Sequence, residues 1–514
     1  MCVSGNMGWT NRNRCLRRST EPQERPAVFH AHTGSAIRSA ERPFLDAGQG
    51  DALMRRAAWG LASVVLRELR AQGPVAGSTV AALVGTGNNG GDALWALSFL
   101  RRRGVDVVAV PTGTTMHEAG LAALQRAGGR VAERVPENTT LLIDGALGTG
   151  ARGGWEPPRV PEAVAVVVAC DLPSGVDADT GHVAGGVIPA DVTVTFGALK
   201  TGLMVGAGAH AAGRVEVVDI GLGPHLAELD VSSLERDDAL AVFAPPAWDD
   251  HKYRRGVLGV CAGSEQYPGA AVLVCSSALA SGLGMVQYAG PRRAADLVLS
   301  AHPEVVAGPG VEGKAQAWVA GPGLGSDDDA RRRLAEVVDA CVDGGLPLVL
   351  DASALDLISL EDLGRLRLAG CEVVLTPHQG ELLRLASRLV PEMKTSFTAV
   401  AGLDPVAAAR GMARELAVVV LLKGATTVCA APDGRTLVQN EGGAELATAG
   451  TGDCLAGLVG SALARTEHGG PTPTVEKAAA AAWLHGTAGT RAAEAGPFGA
   501  SALPGAVRHV LTGR

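Results

Sequence analysis

Aromatic side chains are scarce in this 514-residue chain, 3% of the total against 47% apolar residues and 69 glycines. That balance excludes a ring-rich core and suits an Ala/Val/Leu-rich α/β protein whose tight turns use glycine. Basic charge is not in excess either: the net charge is −8, which gives no electrostatic case for a nucleic-acid or anionic-membrane partner. Long apolar runs are missing. Ala163 to Ala169 and Leu416 to Leu422 are strand-length and far too short to span a bilayer. The nine cysteines contain no C-x-x-C pair, and Cys170, Cys261, Cys371 and Cys429 sit in apolar strand-like runs. Free buried thiols in a reducing, cytoplasmic setting account for them, with neither zinc nor disulfides supported.

The length predicts two or three domains. Met1 to Thr33 holds five Arg and two acidic residues and no apolar period. It reads as a disordered extension, or a start codon assigned too far upstream, rather than part of a fold. From Ser35 to about Leu69 the spacing turns helical, with Leu53, Met54, Ala57, Ala58, Leu61, Val64, Val65 and Leu69 on one stripe. Gly73-Pro74 stops it. Thr79 to Gly85 is then a fully buried strand, followed by Gly85-Thr-Gly-Asn88-Asn89-Gly90-Gly91-Asp92 and a helix over Ala93 to Arg103.

Strand, Gly-rich turn and helix is how a doubly wound sheet binds ligands at its carboxyl edge. The spacing is not G-x-G-x-x-G, and no acidic residue ends the next strand, Val105 to Val110, to hold a ribose. The turn is therefore either a plain turn of Asn and Gly or a place where backbone and Asn/Asp oxygens approach a ligand. Two further strand ends carry polar groups on the same edge. One is Asp144, followed by Gly148-Thr149-Gly150-Ala151-Arg152-Gly153-Gly154; the other is Asp171-Leu-Pro-Ser174-Gly175. Oxygen ligands without His or Cys suit a hard cation, and a single carboxylate with amide and hydroxyl oxygens suits a monovalent one. Lys200, at a further strand end, is either structural or faces the pocket.

These segments, in this order and spacing, resemble the NAD(P)H-hydrate epimerase family. The resemblance implies a Rossmann-like three-layer domain over residues 34–235 that interconverts the C6 epimers of hydrated NADH and NADPH with a potassium ion. Carried over, Asn88, Asn89, Gly90, Gly91, Asp92, Gly148 to Gly154 and Asp171 would wrap the substrate. Asn89, Asp144 and Ser174 would hold potassium, and Asp144 would be the acid/base. Ala93 stands where that family usually has Gly.

Acidic residues alternate with short apolar pieces up to Ala244-Pro-Pro-Ala-Trp248, so residues 236–246 read as a linker. Strands and helices alternate again from residue 247 to 514. Strand ends carry Gly321-Pro-Gly323-Leu-Gly325, Asp351, Thr376-Pro-His378 and Lys423-Gly424. A lone His such as His378 is more often a hydrogen-bonded surface residue than a catalyst. The remaining signal is Leu446-Ala-Thr-Ala-Gly450-Thr-Gly452-Asp453, running into an apolar helical segment. Unpaired N–H groups of Gly450, Thr451 and Gly452 would converge there on an anion, phosphate above all. Asp453 either caps that helix or carries out proton chemistry on a hydroxyl facing the phosphate.

GSEQYPGA, AGPGLG, TPHQGE, LKGATT and ATAGTGD together resemble the ADP-dependent NAD(P)H-hydrate dehydratase family of the ribokinase-like superfamily. The resemblance implies transfer of a phosphoryl group from ADP to the C6 hydroxyl, and loss of phosphate to restore NADH or NADPH. Asp453 would activate the hydroxyl and touch substrate. Lys423, Gly424, Ala425, Thr426, Thr427 and Gly452 would hold the nucleotide, and Ala270, Gly323 and His378 would contact the hydrated substrate. The usual D-A-D-A-L is here Asp351-Ala-Ser353-Ala-Leu355, followed by Asp356 in place of Asn, which unsettles the magnesium ion the family implies. The competing reading is a hydroxymethyl kinase fused to a non-catalytic nucleotide-binding module. Oligomeric state is not readable, although the Ala-rich stretch Val475 to Leu484 offers a surface for a second copy.

Overall fold

The computed structural model describes residues 29–150, 154–226, 229–311, 313–400, 402–465 and 471–513. In the N-terminal half seven parallel strands lie in the order Arg130–Val131, Asp106–Pro111, Thr79–Val84, Leu141–Gly145, Val166–Cys170, Val192–Phe196, Arg214–Val218. The inner strands are continuous Val/Ala/Leu runs because both of their faces are buried. Val80, Ala82 and Val84 pack under the helices Gly50–Gln72, Asn88–Arg101 and Glu118–Arg126, while Ala81 and Leu83 enter the opposite core. Loop side chains such as Leu147, Trp155 and Ile188 close that second face. The order reverses between Thr79–Val84 and Leu141–Gly145, which opens a crevice at their carboxyl ends.

Two local details differ from the sequence expectation. The helical stripe is broken into Gly34–Asp46 and Gly50–Gln72, with Gly48 at φ +71° between them. The helix expected from Ala93 begins at Asn88, so the Asn-Gly-Gly segment is a first turn rather than a loop. A side chain at position 90 would stand 2.1 Å from the Gly85 carbonyl. Close packing on the strand end thus overrides glycine's poor helix propensity.

The second sheet has twelve strands. Seven are parallel, in the order Val306–Gly308, Met285–Ala289, Val257–Cys261, Ala317–Ala320, Leu348–Leu350, Val373–Leu375, Val419–Leu422. Thr427–Ala430 and Thr436–Gln439 continue it as an antiparallel hairpin, turned at Asp433-Gly434. Helices Gly269–Ala280, Thr451–Ala464, Thr474–Ala493 and Leu503–Thr512 cover one face. Asp328–Gly344, Leu360–Leu368, Gln379–Leu389 and Pro405–Leu416 cover the other. Ala478 to Leu484 are buried against neighbours within this chain, so the face expected to receive another copy is already occupied. The order reverses a second time between Val257–Cys261 and Ala317–Ala320.

The last three strands of this sheet come from the other half. Val231–Ser233 pairs with Thr436–Gln439, Phe29–His32 pairs with Val231–Ser233, and Leu199–Lys200 completes the edge. Residues 29–32, expected within the structureless extension, thus form a strand; residues 1–28 lie outside the described residues. The expected linker contains the helix Arg236–Val242, started by a capping box between Glu235 and Asp238. Arg410 fastens the junction, with Nη1 2.7 Å from Asp230 Oδ1, Nε 2.7 Å from Thr436 Oγ1 and Nη2 on the Asp230 carbonyl. Arg410→Ala strands these acceptors and should cost about 1–3 kcal/mol. Thermal unfolding followed by circular dichroism reads this as a Tm lowered by several degrees; an unchanged Tm removes the junction from the stability of the fold.

Candidate functional site

Each half gathers its polar residues at the point where strand order reverses. In the N-terminal crevice Asn89 donates through Nδ2 to the Leu147 carbonyl at 3.0 Å and the Cys170 carbonyl at 2.7 Å. Its Oδ1 lies against Gly148, where a Cβ would come within 2.6 Å. Asp144 is fully buried. Its Oδ1 accepts from Ser174 Oγ at 2.6 Å and its Oδ2 from Ser174 N at 2.8 Å, and Ala146 N adds a longer contact. Ser174 Oγ also accepts from Leu147 N at 2.8 Å. Asn89, Asp144 and Ser174 are thus brought together with two backbone carbonyls. An all-oxygen set carrying one formal charge fits a monovalent cation.

The acid/base role expected of Asp144 fits less well. Burial raises its pKa, but every donor around it favours the charged form and its oxygens are enclosed. The neighbouring Asp92 differs. It is buried, its Oδ1 has no hydrogen-bond partner, and burial together with the charges of Asp171 and Glu41 pushes its pKa far up against the pull of Lys200. Asp171 sits at φ +68°, a left-handed conformation rare for a side-chain-bearing residue. Its Oδ1 accepts from Lys200 Nζ at 2.5 Å, and Lys200 also reaches Thr195 Oγ1 and the Phe196 carbonyl. Lys200 is therefore committed to holding Asp171 at the crevice edge. Sequence reasoning missed Glu41 and Arg38. Arg38 donates to the Thr149 carbonyl at 2.9 Å and ties the first helix to the Gly148–Gly150 loop. Neither stands in a local motif: Glu41 lies one turn on from Ile37 at the margin of the buried stripe, and Arg38 is exposed beside it. Gly154 is described on that loop, whereas Ala151, Arg152 and Gly153 lie outside the described residues.

In the C-terminal crevice the helix Thr451–Ala464 starts from Gly450 at φ +90° with no side-chain cap. Thr451 Oγ1 pins the loop to the Leu446 and Thr448 carbonyls. His485 Nε2 lies 2.9 Å from the Thr451 carbonyl, and burial pushes its pKa down to about 4, so the neutral ring donates to that carbonyl. Asp453 stands in the first turn. Burial first, then the charge of Asp351, raises its pKa to about 7 against the opposing Lys423.

Lys423 Nζ lies 2.7 Å from Asp351 Oδ1 and 3.6 Å from Glu381 Oε2, and a Cβ on Gly452 would come within 3.7 Å of it. Lys423, the start of the helix Thr451–Ala464 and Asp453 therefore share one cleft. Gly323, at φ +63°, abuts Ala270, where a Cβ would approach to 2.6 Å. Both line the reversal point. His378 spends Nδ1 on capping Gln379–Leu389 through Gly380 N and Glu381 N, so the surface-residue alternative describes that nitrogen. Sequence reasoning missed Asp351 and Glu381 as Lys423's partners, although both stand in quoted motifs, because neither motif shows that they meet; His485 carries no local motif.

The expected magnesium site does not fit these residues. Asp351 is taken by Lys423, Asp356 by Arg384, and Ser353 Oγ accepts from Gly325 N at 3.3 Å. No group of three or more His, Cys, Asp or Glu among the described residues can hold a metal. A cavity of about 1050 Å³ lies away from both crevices, between residues 229–234, the helix Arg236–Val242 and the 433–437 hairpin. Its Arg254, Arg410 and Arg435 are paired with carboxylates of the chain, which argues for a structural junction. No helix among the described residues is long and apolar enough to cross a membrane.

Residues 258–504 match the NAD(P)H-hydrate dehydratase family and residues 50–202 the YjeF-related protein N-terminus family. The bifunctional NAD(P)H-hydrate repair enzyme Nnr of Mycobacterium tuberculosis (strain ATCC 25618 / H37Rv) is 43% identical over 450 residues, covering 85% of this chain and 89% of that protein. The chain belongs to the bifunctional NAD(P)H-hydrate repair enzyme family. The Mycobacterium leprae member is 42% identical over 483 residues, with 91% of this chain and 95% of that protein covered. The Bacillus subtilis ADP/ATP-dependent NAD(P)H-hydrate dehydratase, crystallised with ATP/Mg2+, aligns at 25% identity and a TM-score of 0.45 over 54% of this chain and 96% of its own.

For a family member built this way, the Asp453 carboxyl is also a stability term. Its pKa of about 7 in the folded protein stands well above the ordinary carboxylate value, so the native state holds a proton that the unfolded chain has lost. Stability then falls as pH rises from about 4 to about 7 and is flat above, by about 4 kcal/mol at most. Asp453→Asn should therefore raise Tm at pH 8 and change it little at pH 4. A Tm gain that is the same at both pH values would contradict the shift.

Proposed function

We propose that the N-terminal half interconverts the R and S forms of hydrated NADH and NADPH, and that the C-terminal half dehydrates the S form using ADP, releasing AMP and phosphate. The observation that carries the second step is an uncapped helix N-terminus, a lysine and a carboxyl near neutrality in one cleft. The diphosphate of ADP sits on the amides of Gly450 and Gly452, beside Thr451 N, which is bonded to the Thr448 carbonyl, with Lys423 to Thr427 along the nucleotide. Ionised Asp453 takes the C6 hydroxyl proton as that oxygen attacks the terminal phosphorus and AMP leaves. The C6–O bond then breaks, the departing phosphate carries off the C5 proton, and the C5=C6 double bond of the nicotinamide is restored. Ala270, Gly323 and His378 line the side from which the hydrated ring enters. Any magnesium ion would arrive with the nucleotide phosphates rather than on a protein site.

In the N-terminal half Asn88 to Asp92, Gly148 to Gly154 and Asp171 surround the substrate, and Asn89, Asp144 and Ser174 would hold a potassium ion, whose positive charge would offset the buried carboxylates. Of those carboxylates, Asp92 retains an unpartnered oxygen and a raised pKa. It carries the proton to the departing C6 hydroxyl and takes one back from the water that adds to the other face. Asp144 holds the cation instead of acting as the acid/base.

Hydrated NADH incubated with ADP or ATP, followed by the absorbance of restored NADH, tests the main reading. NADH should appear with stoichiometric release of AMP from ADP, on an acid limb near pH 7. A stable phosphorylated product without NADH would establish the kinase alternative instead. Asp453→Asn should abolish dehydration while still binding nucleotide. Asp92→Asn should reduce R-to-S conversion by about 10²-fold or more, whereas Asp144→Asn should mainly raise the potassium concentration required. The reverse pattern would return the proton to Asp144.

A further inference from the structure

The nucleotide segment of the dehydratase does not stand free of the epimerase half. Gly206 N donates to Thr426 Oγ1 at 3.2 Å, Thr426 Oγ1 donates to Asn440 Oδ1 at 2.7 Å, and Asn440 Nδ2 donates to the Met204 carbonyl at 2.7 Å. Between the halves lies a cavity of about 180 Å³. Thr180, Gly181, His182, Gly206 and Ala207 form one side of it, and Gln379 with Leu422 to Thr426 form the other.

We propose that the epimerase half supplies one wall of the dehydratase's nucleotide site, with Thr180–His182 and Gly206–Ala207 closing over the base end of the bound nucleoside diphosphate. The proposal rests on the reading that Lys423 to Thr427 hold ADP. Direction along the segment supports it. Lys423 Nζ stands beside Gly452 at the anion hole, and Gly424, Ala425 and Thr426 lead from there into the shared cavity. A diphosphate at the helix start thus leaves its nucleoside end pointing between the halves. The cavity is smaller than the ~300–1,000 Å³ that encloses a whole drug-sized ligand, so it takes one end of the nucleotide only.

The wall is built into the fold. A side chain at Gly181, φ +67°, would meet the Val205 carbonyl at 2.0 Å, and Gly208 N donates to the Gly181 carbonyl at 2.7 Å, locking the two segments together. Leu203, Met204 and Val205 are buried in the same core as Leu422, Val428 and Val438. Ala207, exposed on the cavity side, is where an added side chain would intrude without disturbing that core. Here the second half's affinity for its cosubstrate depends on residues of the first.

The full-length protein carrying Ala207→Leu separates the possibilities, with ADP and inorganic pyrophosphate as calorimetric probes. The Kd and KM for ADP should rise about tenfold, while kcat, R-to-S conversion and pyrophosphate binding stay at wild-type values, and Ala207→Ser should restore ADP affinity. Unchanged ADP affinity in Ala207→Leu, or equal losses for ADP and pyrophosphate, would overturn the proposal. Failure of the wild-type protein to bind ADP at all would instead overturn the reading it rests on.

Discussion

A single ammonium group, Lys423 Nζ, held between Asp351 and Glu381 at the tip of a parallel strand, sets the electrostatics of the C-terminal crevice. Counting Asp453, the cleft contains more acids than bases. Such a cluster tolerates burial only if one carboxyl keeps its proton or if an external cation enters. Asp453 is the group that yields, because it lacks the direct ion pair that Asp351 has. Its raised pKa leaves the helix amides facing a nearly neutral neighbour, which in the proposed reaction would spare the polyphosphate that repulsion. The same arrangement makes Asp453 a base of about the right strength at neutral pH. Anion binding and proton transfer are thus two consequences of one charge distribution.

Legibility from sequence followed locality. The strand ends carrying Asn89, Asp144, Ser174, Gly323 and Lys423 were readable because apolar runs stop abruptly at Gly, Asn and Asp, and the sheet order then forces those tips to converge. The glycines that open the helix Thr451–Ala464 were readable for the same reason. What escaped were partners distant along the chain. Glu381 is a helix-capping residue in its own segment, and nothing nearby announces that its carboxylate reaches Lys423. Asp92 was grouped with its neighbours as a ligand contact, since an unpartnered buried oxygen is visible only after packing. Glycine misled once: Gly90-Gly91 reads as a turn, yet contact with Gly85 makes it the start of a helix.

Composition marks the stretch between the halves but not how they are joined. Acidic residues before Ala244 belong to a capping box rather than to a flexible tether. Strands from Phe29, Leu199 and Val231 extend the dehydratase sheet beyond its own hairpin. Backbone pairing across the junction holds both crevices on one framework. An exposed sheet edge is also covered in the process.

The protonation state of Asp453 is the point on which the chemistry turns, and it can be observed without turnover. Carboxyl 13C NMR of the full-length protein labelled at aspartate, with Asp453→Asn identifying the resonance, reports it directly. The charge arrangement at Lys423 predicts a titration midpoint near 7 that moves down in Asp351→Asn. A midpoint near 4, indifferent to Asp351, would contradict it.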